Sequence, residues 1–265
     1  SVTGGGDKNS YNLSLGYYHQ DGLVKNTGFD RYTLHYSNDM QLNSFIKAGV
    51  NTTGSFSGSK DAPGGIFYEL FNAAPIVPVY YADGSYGDAG DYNVATSNQK
   101  NPQASLDFFN QRTKTWKING NVYAEAKFLK NFTFRTTAGG DFQDGEINSY
   151  SPYTNYLYIP VAYRNQHSTL TKTKTEIRNW IVENTLTYDK KINDHSFKVL
   201  IGQGAQGYKY YKGVASSFSV PNLPGTYQYI STGEDSTFTY GDYDAGDKPQ
   251  LTRVLSYFGR LNYAY

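Results

Sequence analysis

The chain has 265 residues, with 24 Lys and Arg against 23 Asp and Glu, for a formal net charge of +1. That near-neutral balance gives no electrostatic reason to expect nucleic acid as a partner, and the absence of cysteine excludes a disulfide framework, a thiolate metal site and a cysteine nucleophile. A mean hydropathy of −0.62 excludes a helical membrane protein, whose spans need about 18 consecutive apolar residues, but not a β-barrel, whose interior and loops are polar. The 27 Tyr and 27 Gly point the same way: Tyr favours sites with one apolar and one wet end, and Gly serves the bends of long strands.

The first strand is predicted at 10–20, with Tyr11, Leu13, Leu15 and Tyr17 on one face. The second, about 30–42, sets Tyr32, Leu34, Tyr36, Met40 and Leu42 against Arg31, Thr33, His35 and Asp39. A tight turn at Leu42-Asn43-Ser44 leads to the third, about 45–57. A long irregular segment, about 58–113, follows; its length and its Pro and Gly content mark it as functional.

The clearest pattern is Thr115–Phe142. Trp116, Ile118, Gly120, Val122, Ala124, Ala126 and Phe128 alternate with Lys117, Asn119, Asn121, Tyr123, Glu125 and Lys127. After the turn Leu129-Lys130-Asn131 the alternation resumes, with Phe132, Phe134, Ala138 and Phe142 opposite Thr133, Arg135, Thr137 and Asp141. These strands are roughly twice the usual 5–6 residues, the length that a tilted transmembrane β-strand needs. The uncharged face ends in Trp116 and Phe128, as an aromatic girdle would. Trp116, Ile118, Val122 and Ala124 are therefore expected to face lipid. A soluble β-sandwich with one wet face is the competing reading.

A second long loop is predicted at 143–174, strand six at 176–189, a short basic turn at Asp189–His195, strand seven at 196–208, a third long loop at 209–250 and strand eight at 251–265. Short turns follow strands two, four and six, and longer connections follow the others. Up-and-down outer-membrane barrels sort their loops in this way, short on the periplasmic side and long on the extracellular side. The expected fold is thus all-β: an antiparallel up-and-down transmembrane β-barrel of about eight strands. Residues 1–10 have no apolar core of a signal peptide, and alternation continues to Tyr265, so the chain reads as a processed protein or a piece of a larger barrel.

No catalytic pattern stands out. His19, His35, His167 and His195 lack metal-ligand spacing, and neither a nucleophile elbow nor a phosphate loop is present. Asp83, Asp88 and Asp91, and Asp242, Asp244 and Asp247, could offer oxygens to Ca²⁺, but neither spacing is that of an EF-hand, and solvated acidic loops are the preferred reading. No cofactor and no metal site are expected. The candidate ligand-binding residues are the loop aromatics Tyr80, Tyr81, Tyr86, Phe108, Tyr153, Tyr156, Tyr240 and Tyr243, which lie among Asp, Asn and Gly as sugar- or peptide-binding rings do. Packing among the loops themselves is the plainer alternative.

Three strings resemble one family. Thr3–Asp39 looks like the first barrel strands of SusC/RagA-type TonB-dependent transporters, Asn179–Gln203 resembles the family hairpin "NTLTYDKKF-DH-F-VLLGQ", and Leu255–Tyr265 resembles its "SYFGRLNY-Y" strand. Asn101-Pro102 sits where the family has a similar turn. The resemblance implies a barrel of about 22 strands, of which residues 1–265 form a partial domain without the plug, the TonB-contacting segment and the remaining strands. It further implies residence in the outer membrane of a Gram-negative cell, import of glycans or peptides, TonB as an energy partner, and a SusD-like surface lipoprotein as lid. It implies no enzymatic activity. A small self-contained eight-stranded barrel with a structural or adhesive role is the alternative; a soluble carbohydrate-binding sandwich and an outer-membrane hydrolase are more distant ones.

Overall fold

The computed structural model describes residues 1–92, 100–153, 166–222, 229–240 and 250–265, with the backbone alone at 237–240. Ten antiparallel strands form one sheet in the order of the chain. They are β1 (Val2–Gly6), β2 (Asn9–Asp21), β3 (Gly28–Gln41), β4 (Ile46–Lys60), β5 (Asn110–Phe128), β6 (Phe132–Ser151), β7 (Thr169–Ile192), β8 (His195–Phe218), β9 (Glu234–Tyr240) and β10 (Gln250–Ala264). Two short helices, α1 (Ile66–Asn72) and α2 (Pro102–Phe108), lie between β4 and β5.

The eight expected strands are β2 to β8 and β10. Two more were not anticipated. β1 pairs with β2. β9 pairs with the far end of β8, Gly213 to Phe218, while β10 takes the same edge of β8 from Tyr210 back to Ser196. β9 and β10 therefore behave as one edge strand interrupted by residues 241–249. The segment expected to be a loop at 209–250 thus holds the end of β8, through Phe218, and all of β9. β6 and β7 likewise reach to Ser151 and Thr169, well into the loop expected at 143–174.

Turn chemistry fixes the hairpins. Between β3 and β4, the Asn43 side-chain oxygen accepts from the backbone of Phe45 (2.9 Å) and Ile46 (2.8 Å). Between β5 and β6, Leu129 and Lys130 both take positive φ (48° and 61°), the left-handed pair that matches the twist of a tight hairpin. Between β7 and β8, Ile192 pairs with His195, leaving Asn193-Asp194 as the whole turn, with Asn193 at φ 52°. The connection from β2 to β3, residues 22–27, is shorter than expected and is closed by Gly22 donating to the Thr27 carbonyl at 3.0 Å. Because the sheet runs up and down, the turns at 42–45, 129–131 and 193–194 share one end. The connections at 22–27, 61–109, 152–168 and 219–233 share the other.

Register extends the alternation of each strand across the sheet. One row joins Tyr17, Tyr32, Phe56 and Trp116 on a single face. Ring centroids are 4.9 Å apart for Tyr17–Tyr32 and 4.5 Å for Phe56–Trp116. Another row at the opposite end joins Phe128, Phe132 and Tyr188, with centroids 5.6 and 4.9 Å apart, and steps to Phe197 and Tyr263. On β6 and β7 the first row steps to Phe142 and Trp180, as tilted strands require. Between the two aromatic rows, Val50, Val122, Ala138, Val182, Ala205 and Leu255 line up in register. The opposite face carries Lys47, Asn51, Tyr123, Glu125, Arg135 and Asp141 in the same strands.

Little is buried in the ordinary sense. A small core lies beyond the upper aromatic row, where the chain after β8 folds back over Tyr150, Leu170 and Val220, with Ile230 packed against them. The Ser168 hydroxyl donates to the Val220 carbonyl at 2.5 Å and closes this lid. Neither outer edge of the sheet is paired: among the described residues no ladder joins β1 or β2 to β10.

Candidate functional site

The segment from β4 to β5 is held at its root by one carboxylate. Asp61 accepts from Ser59 (2.7 Å), Gln111 (2.9 Å) and Thr113 (2.8 Å). Burial works against its charge, but these three donors outweigh it and hold its pKa below the usual carboxylate value. Above this root, residues 79–87 form a miniature hairpin. Gly87 donates to the Val79 carbonyl (3.2 Å) and Tyr81 to the Ser85 carbonyl (2.8 Å), with Gly84 at φ 85° in the turn.

Asn101 ties that hairpin to α2. Its side-chain oxygen accepts from the backbone of Gln103 (3.0 Å) and Ala104 (3.4 Å), capping the helix ahead of Pro102. Its amide donates to the carbonyls of Val79 and Gly87, both at 3.0 Å. Asn101→Ala removes all four bonds. It is expected to lower local stability by about 1–2 kcal/mol, the range for lost helix caps, and to speed proteolysis within 79–108 while leaving the sheet intact. Limited proteolysis followed by mass spectrometry reads this; unchanged cleavage would show that the hairpin does not depend on the amide.

The result is a cluster built on Asp107. The hydroxyls of Tyr86 (2.9 Å) and Tyr80 (3.3 Å) donate to its Oδ2, and the Gln103 amide donates to its Oδ1 (2.9 Å). Tyr80 and Tyr86 rings lie 5.3 Å apart, and the Tyr86 ring meets Phe108 edge-on at 5.6 Å. Burial, then the Asp107 carboxylate, push the Tyr86 hydroxyl far above the usual phenol pKa, and the same causes raise Tyr80. Both rings therefore stay protonated donors. The exposed ring of Tyr80 and the carboxylate of Asp107 can stack on and hydrogen-bond a polar ligand.

Of the candidate aromatics, the structure brings Tyr80, Tyr86 and Phe108 together and turns Tyr81 away. Tyr81 donates to Asp91 (2.7 Å) and accepts from the Asp88 backbone (3.1 Å). Tyr153 is exposed and remote in sequence. Tyr240 pairs through its backbone with Gly213 in β9, so it is a strand residue and not a loop residue. Tyr156 and Tyr243, like Asp242, Asp244 and Asp247, fall outside the described residues. Asp83 and Asp88 are spent on local turns, accepting from Ser85 and Gly90, and no group of three metal-ligating side chains forms among the described residues. Trp116, Ile118 and Val122 are 61, 57 and 51 % exposed, and Ala124 is exposed beside them.

Sequence reasoning missed a network on the polar face. Tyr123 donates to Asp39, Lys47 lies 3.9 Å from the same carboxylate, and the Arg135 guanidinium sits 4.0 Å from the centre of the Tyr123 ring while pairing with Glu125 at 3.5 Å. Asp39, Gly49, Tyr123 and Thr137 form one register row. The alternation placed each on the polar face, but only the hairpin registers bring them side by side.

No family model matches the chain. Individual proteins do. TonB-dependent receptor P26 of Formosa agariphila is 26 % identical over 269 residues, covering all of this chain and 26 % of that protein. TonB-dependent receptor SusC of Bacteroides thetaiotaomicron is 25 % identical over 296 residues, again across the whole chain and 27 % of its own length. The chain resembles SusC/RagA-type TonB-dependent transporters from end to end. The structure of the RagAB peptide transporter superposes with a TM-score of 0.74 at 19 % identity, over 99 % of this chain and 29 % of that one. The fold is therefore that of an antiparallel up-and-down transmembrane barrel, here a SusC/RagA-like part of one. The chain spans about a quarter of the length of the curated relatives it matches.

Proposed function

We propose that this chain forms part of the barrel of a TonB-dependent outer-membrane importer for glycans or peptides that works with a SusD-like surface lipoprotein. The observation that carries the reading is the end-to-end similarity to named TonB-dependent receptors, joined to a sheet that has two free edges. Unpaired N–H and C=O groups cost several kcal/mol each in hydrocarbon, so in a membrane β1 and β10 must each meet another strand. A wide barrel supplies those strands; a closed eight-stranded barrel would require the β2–β10 ladder that is missing. The apolar face between its two aromatic rows would meet lipid, the polar face would line the lumen, and the Asp107 cluster would stand among the extracellular loops where cargo or lid protein arrives. Residues 1–265 would then belong to one barrel domain, with energy coupling supplied from elsewhere in the polypeptide.

The test is growth of the native bacterium on single glycans and on peptides, with the full-length gene deleted, restored, or restored in a strain lacking TonB. Loss on one cargo class, rescued only when TonB is present, supports the reading; unaffected growth and uptake across both classes contradicts it. Topology is checked separately. Cysteines at Asp88 and Asp242 in this cysteine-free stretch should react with an impermeant maleimide on intact cells, and one at Asn131 should not. Labelling of all three, or of Asn131 alone, would contradict this topology.

A further inference from the structure

Above the row Tyr17–Tyr32–Phe56–Trp116, the apolar face turns cationic. Lys114 lies two residues beyond Trp116 on the same face of β5, and Arg112 two beyond that. Lys60 is the direct cross-strand partner of Arg112. Like charges placed opposite each other on a sheet repel and destabilise, so this pair needs a reason. All three side chains are exposed, and among the described residues none is in an ion pair or side-chain hydrogen bond. Among the neighbouring carboxylates, Glu146 is the cross-strand partner of Lys114 and offsets part of its charge while accepting from Asn148 at 2.9 Å, so the unmatched pair is Lys60 and Arg112. Asp30 accepts from Tyr17 and lies 2.8 Å from His19, and Asp21 lies 3.4 Å from His19. With Lys25 from the 22–27 connection, the three cations border a hollow of about 850 Å³.

Depth decides what could fill it. A strand rises about 3.3 Å per residue and tilts by about 45° in a barrel wall. Two residues beyond Trp116 are thus about 5 Å higher along the membrane normal, and four are about 9 Å higher. Each headgroup layer is about 5–8 Å thick. Trp116 and its row sit where aromatic girdles mark the edge of the hydrocarbon. Lys114 therefore stands at the level of lipid phosphates, and Arg112 and Lys60, paired in register at the outer edge of that layer, can reach down into it with their long side chains.

We infer that Lys60, Arg112 and Lys114, with Lys25 at the rim, form a binding site for the phosphate group of an anionic outer-leaflet lipid whose acyl chains lie along Trp116 and Ile118. Phosphate oxygens would relieve the Lys60–Arg112 repulsion, and Arg112 can grip them with two parallel N–H donors. An acidic protein docking from above is less suited, because the site opens sideways on the face that continues into the apolar band. This inference rests on the proposed lipid-facing role of that band.

Trp116 itself can report the outcome. Full-length protein is reconstituted in phosphatidylcholine vesicles containing phosphatidic acid, more phosphatidylcholine, or diacylglycerol as the only lipid with brominated chains. Quenching of Trp116 is taken as the difference between native protein and Trp116→Phe. Brominated phosphatidic acid should quench Trp116 preferentially, and the preference should fall by roughly tenfold or more in the triple variant K60Q/R112Q/K114Q, since each cation near an anionic surface is worth roughly fivefold. Unchanged quenching of that variant by brominated phosphatidylcholine shows that the wall is still folded. Equal quenching of the native protein by all three lipids overturns the phosphate site but leaves the lipid-facing band standing. No quenching by any of them overturns both. Loss of the preference on adding inorganic phosphate, at constant ionic strength, would assign the hollow to free phosphate and overturn the lipid assignment.

Discussion

Val122→Arg is expected to destabilise the folded barrel by about 2–4 kcal/mol, the cost of a cation on a barrel wall near the bilayer midplane. Val122 sits midway between Trp116 and Phe128, in the row Val50–Val122–Ala138–Val182–Ala205. Its direct register neighbours on that face, Val50 and Ala138, are aliphatic, and the nearest polar groups are the neutral hydroxyls of Thr52 and Thr136, so the guanidinium has no charged partner and no short route to water. Asn121→Arg moves the same charge one residue along the strand and therefore onto the polar face. Its register neighbours there are Asn51 and Gly139, and a wet lumen would hydrate it at far smaller cost. Reversible refolding of the full-length protein into lipid vesicles under a denaturant titration measures both. Equal costs for the two would mean that neither face meets hydrocarbon.

The apolar face carries a few polar side chains, among them Asn38, Thr52 and Thr136, and one pair shows how such a face tolerates amides. Asn184 and Gln203 are cross-strand partners on β7 and β8, in the same face as Val182, Leu186, Ala205 and Ile201. The Asn184 amide donates to the Gln203 carbonyl oxygen at 3.1 Å. Facing lipid singly, either amide would leave polar groups unsatisfied; paired, each covers part of the other's need.

The strands that cross between the two aromatic rows were legible because each has one apolar and one polar face there. The same strands were truncated in the reading wherever they run past the rows. Arg112–Lys114, Gln143–Ser151 and Thr169–Thr175 are mostly polar on both faces, Ile147, Tyr150 and Leu170 apart, so alternation fades although the ladder continues. β9 was lost for that reason and β1 because Val2–Gly6 is mostly glycine. At the candidate site, composition alone nominated the aromatic rings. It could not show that Asp107 gathers Tyr80 and Tyr86 while the parity of the intervening turn sends Tyr81 to Asp91, because those contacts depend on a turn geometry that Gly84 sets. The one readable hint was Asn101-Pro102, a helix-start pair, and Asn101 is the residue that fastens the hairpin to α2.

Gly120→Ala is expected to cost about 1–3 kcal/mol, the range for overpacking a site that cannot yield, whereas Gly54→Ala should be neutral or slightly stabilising. Both glycines lie on the apolar face, on adjacent strands, one row apart in the register. A methyl group at Gly120 would stand 2.4 Å from the Asn51 carbonyl oxygen and 2.7 Å from the Thr52 Cα. These are backbone atoms of the neighbouring strand, so relief demands that β4 and β5 separate and lengthen their shared hydrogen bonds. At Gly54 a methyl group would meet nothing within 4 Å, and alanine would gain from restricting the unfolded chain. Gly207 presents an intermediate case, because the atoms nearest its added methyl belong to the Trp180 ring, which can swing outward. The expected order of cost is therefore Gly120, then Gly207, then Gly54. The same vesicle refolding titration ranks the three alanine variants, and a Gly54 variant as unstable as the Gly120 one would show that loss of glycine flexibility, not strand-to-strand contact, limits this wall.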